Sequence, residues 1–203
     1  MIEENVMAKL SREERTVITG RARKRGKYFE QQVAKLILDI FKKSELFSRE
    51  DLKLITDKTV RRRKVWEMEE EQKGDLIIKD PIKRYFPFCV ECKDVEGIYE
   101  LEKLLSKRPA SFISYLDQAK DQARYMGLIP LLVWKRGKNA SIILCAFHDC
   151  HSCDRGVYIF DFKLFLKEWV SLVKEHPYLM KPRKFDSWDI LNRISYMVFY
   201  TDD

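Results

Sequence analysis

Glu91 and Lys93 stand two residues apart in the segment FPFCVECK (86–93), which has the apolar, β-prone make-up of a strand. Side chains alternate across a strand, so Cys89, Glu91 and Lys93 share one face and Val90 and Cys92 the other. A carboxylate and an ammonium projecting together can engage a hard cation and steady charge developing on a phosphate. Asp75 opens the preceding apolar run, GDLII (74–78). If the two runs pair as a hairpin, Asp75 and Glu91 converge on one Mg²⁺ or Mn²⁺. Such an ion takes a few carboxylates, waters and usually the substrate phosphate. It acidifies a bound water and neutralises charge on the scissile phosphate, while Lys93 positions the water or stabilises the transition state.

Two helices must hold these strands. Over residues 28–43, Phe29, Val33, Leu36, Ile37, Ile40 and Phe41 recur at helical spacing. Glu30 falls within the arc of Val33, Ala34, Ile37 and Phe41, and a carboxylate on the inner side of a helix needs a partner. The hydration shell of a metal would supply one. Residues 111–126 place Phe112, Tyr115, Leu116, Ala119, Ala123 and Met126 on one stripe, with Gln118 and Gln122 beside it and Gly127 suited to the C-cap. Further strands are predicted at 130–135, 141–147 and 157–160, a turn at Asp80-Pro81, and an amphipathic helix at 161–175. The stretch around 61–71, with its arginines and glutamates, reads as a loop or a hairpin.

Each feature alone has a bland reading. A single acidic residue at a strand end is ordinarily solvated or salt-bridged, and Glu-x-Lys pairs are common. The ordered set is more specific: an inward Glu on a helix, an Asp opening a strand, Glu-x-Lys on the next, then a helix with inward Gln. On this set, residues 26 to about 140 resemble the PD-(D/E)XK nuclease superfamily, and within it the archaeal and phage Holliday-junction-resolvase-like members. The segments carrying the likeness are RKRGKYFE (23–30), KGDLIIKD (73–80), FPFCVECKD (86–94) and YLDQAKDQARYMGLIPLLVWKR (115–136). The resemblance implies Asp75 and Glu91 as metal ligands, Lys93 as the catalytic lysine, Glu30 supporting the metal through water, and Gln118 at the family's helix position. It also implies a homodimer that nicks symmetric strands. Gly74 stands where the motif's name has Pro, and the residues after about 145 have no counterpart in a minimal resolvase domain.

The fold expected is therefore α/β: a restriction-endonuclease-like core with a central mixed β-sheet flanked by helices, plus a C-terminal α+β extension. The expected divisions are a basic arm (1–25), the nuclease core (26–147) and an extension packed on it (148–203). The tail includes Trp188, Ile190, Leu191, Ile194 and Met197, apolar enough to pack.

Composition agrees with a folded, DNA-directed chain. Charged residues make up 35% and the net charge is +7, which favours a polyanionic partner. Arg21, Arg23, Lys24, Arg25 and Lys27 form one basic cluster, and Arg61, Arg62, Arg63 and Lys64 another. Either is a solvated face or a set of phosphate contacts, and phosphate contacts position DNA without reading its sequence. Trp66 is a candidate stacking residue, while Trp134, Phe147 and Phe160 read as core. No apolar run reaches the length of a spanning helix, and the first residues lack a signal-peptide layout. A soluble, cytoplasmic protein with its five cysteines reduced is expected, with no membrane partner.

The segment CAFHDCHSCD offers Cys145, His148, Cys150, His151 and Cys153, donors that suit a structural zinc. Thiols without metal are the favoured reading of this cluster. The function expected is metal-dependent endonucleolytic hydrolysis of branched DNA. The alternatives are a restriction- or repair-type endonuclease on the same core, and a non-catalytic module that binds DNA or recruits a partner.

Overall fold

The structure, a computed structural model, describes residues 12–63, 74–95, 110–136, 143–148 and 157–177. Helix α1 (Arg12–Lys42) leads into a short helix α2 (Arg49–Leu54), then strands β1 (Val60–Arg62) and β2 (Leu76–Ile78). A 3₁₀ turn (Ile82–Tyr85) delivers the chain to β3 (Phe88–Val95). Helix α3 (Ala110–Met126) follows, then β4 (Ile129–Arg136), β5 (Ile143–His148), β6 (Val157–Asp161) and helix α4 (Phe162–Glu175).

The main sheet runs β3-β4-β5-β6. Strands β3 and β4 are parallel, with α3 between them in sequence, and the other two pairings are antiparallel. This is the mixed, helix-flanked sheet expected. From Ile129 to Trp134 strand β4 is apolar because it is covered on both sides: Leu131 and Val133 enter one core, Leu132 and Trp134 the other. The smaller core lies under α3, where Phe112 meets the Trp134 ring edge-on at 5.2 Å. Gly127, with φ +63°, ends α3 at the position foreseen for its cap.

The larger core lies between the opposite face of the sheet and helices α1 and α4. Phe29, Val33, Ile37 and Phe41 on α1 pack there with Phe165, Leu166, Trp169 and Val173 on α4. Helix α4 starts where Asp161 accepts a hydrogen bond from the Leu164 amide at 2.9 Å, an N-cap, and its apolar residues recur at helical spacing. Phe86 and Phe88 link the two helices: Phe86 meets Phe41, and Phe88 lies edge-on to Trp169 with ring centroids 4.8 Å apart. The Trp169 indole N–H donates to the Tyr85 carbonyl at 2.7 Å, tying α4 to the turn that feeds β3.

One expectation changes, and two elements extend further than their spacing marks. Strands β2 and β3 do not form a hairpin. β2 pairs antiparallel with β1, and it meets β3 through the Asp75 amide, which donates to the Val90 carbonyl. The physical reason is the intervening turn: Ile82 is fully buried and Tyr85 is fastened to α4, so the chain is carried around rather than folded straight back. The helix expected from residue 28 starts by Arg12, so Arg21 to Lys27 are successive turns of the helix that carries Glu30. Strand β6 is the fourth strand of the same sheet and α4 shares its larger core, so residues 157–177 complete the core physically. Trp188 and the rest of the tail lie outside the described residues. Among the described residues, no helix is long and apolar enough to cross a membrane.

Trp169 is fully buried and hydrogen-bonded. Trp169→Ala should lower stability by roughly 3–5 kcal/mol, whereas Leu164→Ala, at an exposed position of the same helix, should stay within about 0.5 kcal/mol of wild type. Urea denaturation followed by circular dichroism checks both.

Candidate active site

The seam between the two sheets gathers the residues singled out by spacing. Asp75 is gripped by backbone on both sides. Its carbonyl accepts from the Arg63 amide at 2.8 Å, and its amide donates to Val90 O at 2.9 Å. Its carboxylate Oδ2 accepts from the Cys92 amide at 2.7 Å. The side chain is thereby held against β3, between the two positions that carry Glu91 and Lys93.

Gly74 makes this approach possible. Its φ is +99°, and a Cβ there would stand 3.0 Å from both Cys89 Sγ and Val90 O. Proline, with φ near −65°, cannot occupy such a position, and any L side chain would be strained.

Glu91 is almost fully buried. Register confirms its face: it lies beside Leu132, and Lys93 beside Trp134, both in the core under α3. Lys93 Nζ donates to Glu91 Oε1 at 2.6 Å and to Gln118 Oε1 at 3.0 Å, and sits 5.2 Å from the Tyr115 ring centroid. The other oxygen, Glu91 Oε2, is buried with no hydrogen-bond partner, and so is Gln122 Oε1. The Gln122 amide lies close enough to lower the pKa of Glu91, yet makes no well-formed bond to Oε2.

Glu30 reaches the seam from α1. Its Oε2 is 3.6 Å from Arg62 Nε, and both side chains are about four-fifths buried, at 19% and 21% exposed. Burial, then the nearby Asp75 charge, pushes the Glu30 carboxyl up to about 7, against an opposing pull from Arg62. Burial also raises Glu91, with Asp75 adding to it. Asp75 is raised by burial too, opposed by the Cys92 N–H and then by Lys93, Arg63 and Arg62. Three acidic groups thus press on one another at a partly desolvated spot. Such a cluster fits a divalent cation: Lys93 meets only one Glu91 oxygen, the other accepts no well-formed bond, and burial disfavours charge on each carboxyl unless a cation offsets it. Among the described residues no three His, Cys, Asp or Glu side chains are grouped so as to hold a metal ion, so an ion on Asp75 and Glu91 would draw its other ligands from water or substrate.

The other nominated residues are dispersed. Arg21, Arg23, Lys24 and Lys27 are exposed along α1. Arg25 is turned inward, with Nε 3.3 Å from Asp94 Oδ2. Arg61, Arg62 and Arg63 follow one another along β1 and just beyond it, and Arg62 Nη1 also donates to the Arg63 carbonyl. Cys145 is fully buried in the larger core, where burial raises its thiol well above the ordinary range. Cys89 and Cys92 are likewise buried and raised, Cys89 to about 12. Lys64, Trp66, the side chains of Phe147 and His148, and Cys150, His151 and Cys153 lie outside the described residues. Trp134 and Phe160 are core residues, as expected.

Residues 21–156 match the family described as "Phage putative PDDEXK endonuclease". The chain belongs to this family. Comparison with curated proteins and with solved structures returned no match. Membership in the PDDEXK endonuclease family makes the chain a nuclease, and the matched span contains the whole seam from Glu30 to Gln122.

Within this PDDEXK nuclease, spacing overlooked two contributors. Tyr115 was assigned to the apolar stripe of its helix, yet its ring flanks Lys93. Arg62 was grouped with phosphate contacts, yet it pairs with Glu30. Neither contact leaves a local signal, because each joins segments far apart in the chain.

Two consequences are measurable. Gly74→Ala should cost roughly 1–3 kcal/mol and disturb Asp75, read as a lower denaturation midpoint with weaker Mn²⁺ binding. Raised carboxyl pKa values stabilise the metal-free fold at low pH, and that stabilisation is lost as they ionise. In EDTA, stability should therefore fall as pH rises from 4.5 to about 7, and Glu30→Gln should flatten the fall; denaturation midpoints at stepped pH test it.

Proposed function

We propose that this nuclease is a divalent-metal-dependent endodeoxyribonuclease that cuts branched DNA in the manner of a Holliday junction resolvase, working as a homodimer. The observation that carries the metal-dependent reading is the buried Glu91 Oε2, which accepts no well-formed hydrogen bond, beside the Asp75 carboxylate. Lys93 meets only the other oxygen of Glu91, and a second cation at Oε2 would offset the remaining cost of burying these acids together.

Asp75 and Glu91 are the residues to hold Mg²⁺ or Mn²⁺, with Glu30 supporting it through water. The ion, when bound, supplies Lewis acidity toward the scissile phosphate and a more acidic water. Lys93 keeps its ammonium at the rim of the site, where it can hold the attacking water or neutralise charge on the phosphate. Gln118 accepts from Lys93, which directs its amide N–H groups away from the ammonium and leaves them to meet water or phosphate. Arg21, Arg23, Lys24 and Lys27 line the exposed turns of α1 that lead to Glu30, and the arginines of β1 border the same seam. These are the phosphate contacts on either side of the cut. Branched DNA and the dimer are supported by the likeness of 23–30, 73–80, 86–94 and 115–136 to resolvase-like sequences.

Cleavage of labelled four-way junction, flap, linear duplex and single-stranded DNA by wild type and Asp75→Asn, with Mg²⁺ or EDTA, tests the assignment. Symmetric nicking confined to the junction, present with Mg²⁺ and lost in Asp75→Asn, is the expected result. Lys93→Ala should cut roughly 10²–10⁴-fold more slowly. Tight DNA binding without cleavage under any divalent metal would overturn the metal-dependent mechanism and the substrate assignment together.

A further inference from the structure

Beside the acidic seam lies a second feature, a cleft of about 480 Å³ between α1 and β1. Its size is that of a site for a small organic group, in the roughly 300–1,000 Å³ range of such pockets. Its base is apolar, formed by Ala34, Leu38 and Val60, all nearly buried. Its polar groups are of both signs: Lys35, Arg61 and Arg62 together with Asp39, Asp57, which also pairs with Lys42 at 3.9 Å, and the Gln31 amide. Arg62 belongs to both places, since it lines the cleft and pairs with Glu30 at the seam. An occupant of the cleft is therefore separated from Glu30 at the seam by the Arg62 side chain alone.

We propose that this cleft receives one unpaired nucleotide of the DNA beside the cut. The inference rests on the nuclease reading and specifies the substrate further. A bare phosphate would have no use for an apolar base and would be repelled by Asp39 and Asp57. A nucleotide uses all three elements. Its base covers Ala34, Leu38 and Val60, its exocyclic amino or ring N–H groups meet carboxylates, and its phosphate meets guanidinium or ammonium. A base stacked inside a duplex exposes only its edges, so contact between its face and this floor requires a nucleotide that is already unpaired or is turned out of the stack. Unstacking costs least where pairing is interrupted. A branch point interrupts the continuous stack of the arms and an intact duplex does not, so turning a nucleotide out costs less there and the cleft favours branched DNA without reading a sequence.

The test uses the full chain carrying Asp75→Asn, without divalent metal, and four-way junctions with 2-aminopurine placed in turn at each position around the branch. Binding should brighten the probe at one position near the branch and leave a matched linear duplex unchanged. Adding Gln31→Trp, an exposed α1 position where an indole would fill the opening, should abolish the brightening and weaken junction binding by roughly tenfold, while affinity for the linear duplex stays within roughly twofold. Adding Arg61→Ala should reduce both the brightening and the affinity, the latter by roughly tenfold. Absence of brightening at every position, or brightening that survives Gln31→Trp, would overturn the proposal. The nuclease reading is judged separately by cleavage. Wild-type nicking with no cleft-dependent brightening removes the cleft alone. Cleft-dependent brightening in a chain that cuts nothing supports the cleft and removes the catalytic reading.

Discussion

Asp75 is fastened to its neighbours by backbone on both sides, its carbonyl to β1, its amide and carboxylate to β3, and the rest of the site is arranged around that attachment. The carboxylate stands where it raises both Glu30 and Glu91. Lys93, Arg62 and Arg63 offset part of the accumulated charge, and one glutamate oxygen is left without a partner. Buried acids in mutual repulsion reduce stability. Their persistence at one spot reflects a scaffold strong enough to hold them, as is usual where local cost is tied to function.

That scaffold is the two-sided burial of β3. Val90 and Cys92 are locked into the larger core against α1 and α4, and Phe88 is enclosed by Trp169, Phe165 and Phe86. The alternate residues Glu91 and Lys93 cannot rotate away without pulling these out of register. A catalytic pair on a strand so constrained is placed more tightly than one on a loop. Helix α4 has no residue at the site, yet it supports the strand through Phe165 and Trp169. The physical core therefore extends past residue 156, where the family match ends.

Helix α1 joins several roles in one rigid element. Its exposed early turns carry basic residues, Glu30 enters the seam, Phe29 and Val33 anchor the larger core, and Ala34 and Leu38 floor the adjoining cleft. Because a helix advances about 1.5 Å per residue, Arg23 and Lys27 lie within roughly 11 Å of Glu30 along the axis. Consecutive charges at that spacing can follow a nucleic-acid backbone past a reacting phosphate.

Much of this was legible from residue spacing. Alternation in FPFCVECK placed Glu91 and Lys93 together, helical spacing turned Glu30 inward and set Gln118 beside its stripe, and Gly127 marked the end of α3. Those patterns are local, since 2.0 and 3.6 residues per repeat arise from the backbone itself. Strand β1 was not legible, because VRR has no apolar alternation and becomes a strand by pairing with β2. Spacing alone suggests a hairpin between 74–78 and 86–93, but pairing partners depend on a turn anchored by Ile82 and, through Tyr85, by Trp169 far along the chain. The partner of Glu30, the ring beside Lys93 and the orphaned oxygen of Glu91 belong to the same category. Each depends on segments tens of residues apart meeting within a few ångströms, and short-range spacing contains no record of such meetings.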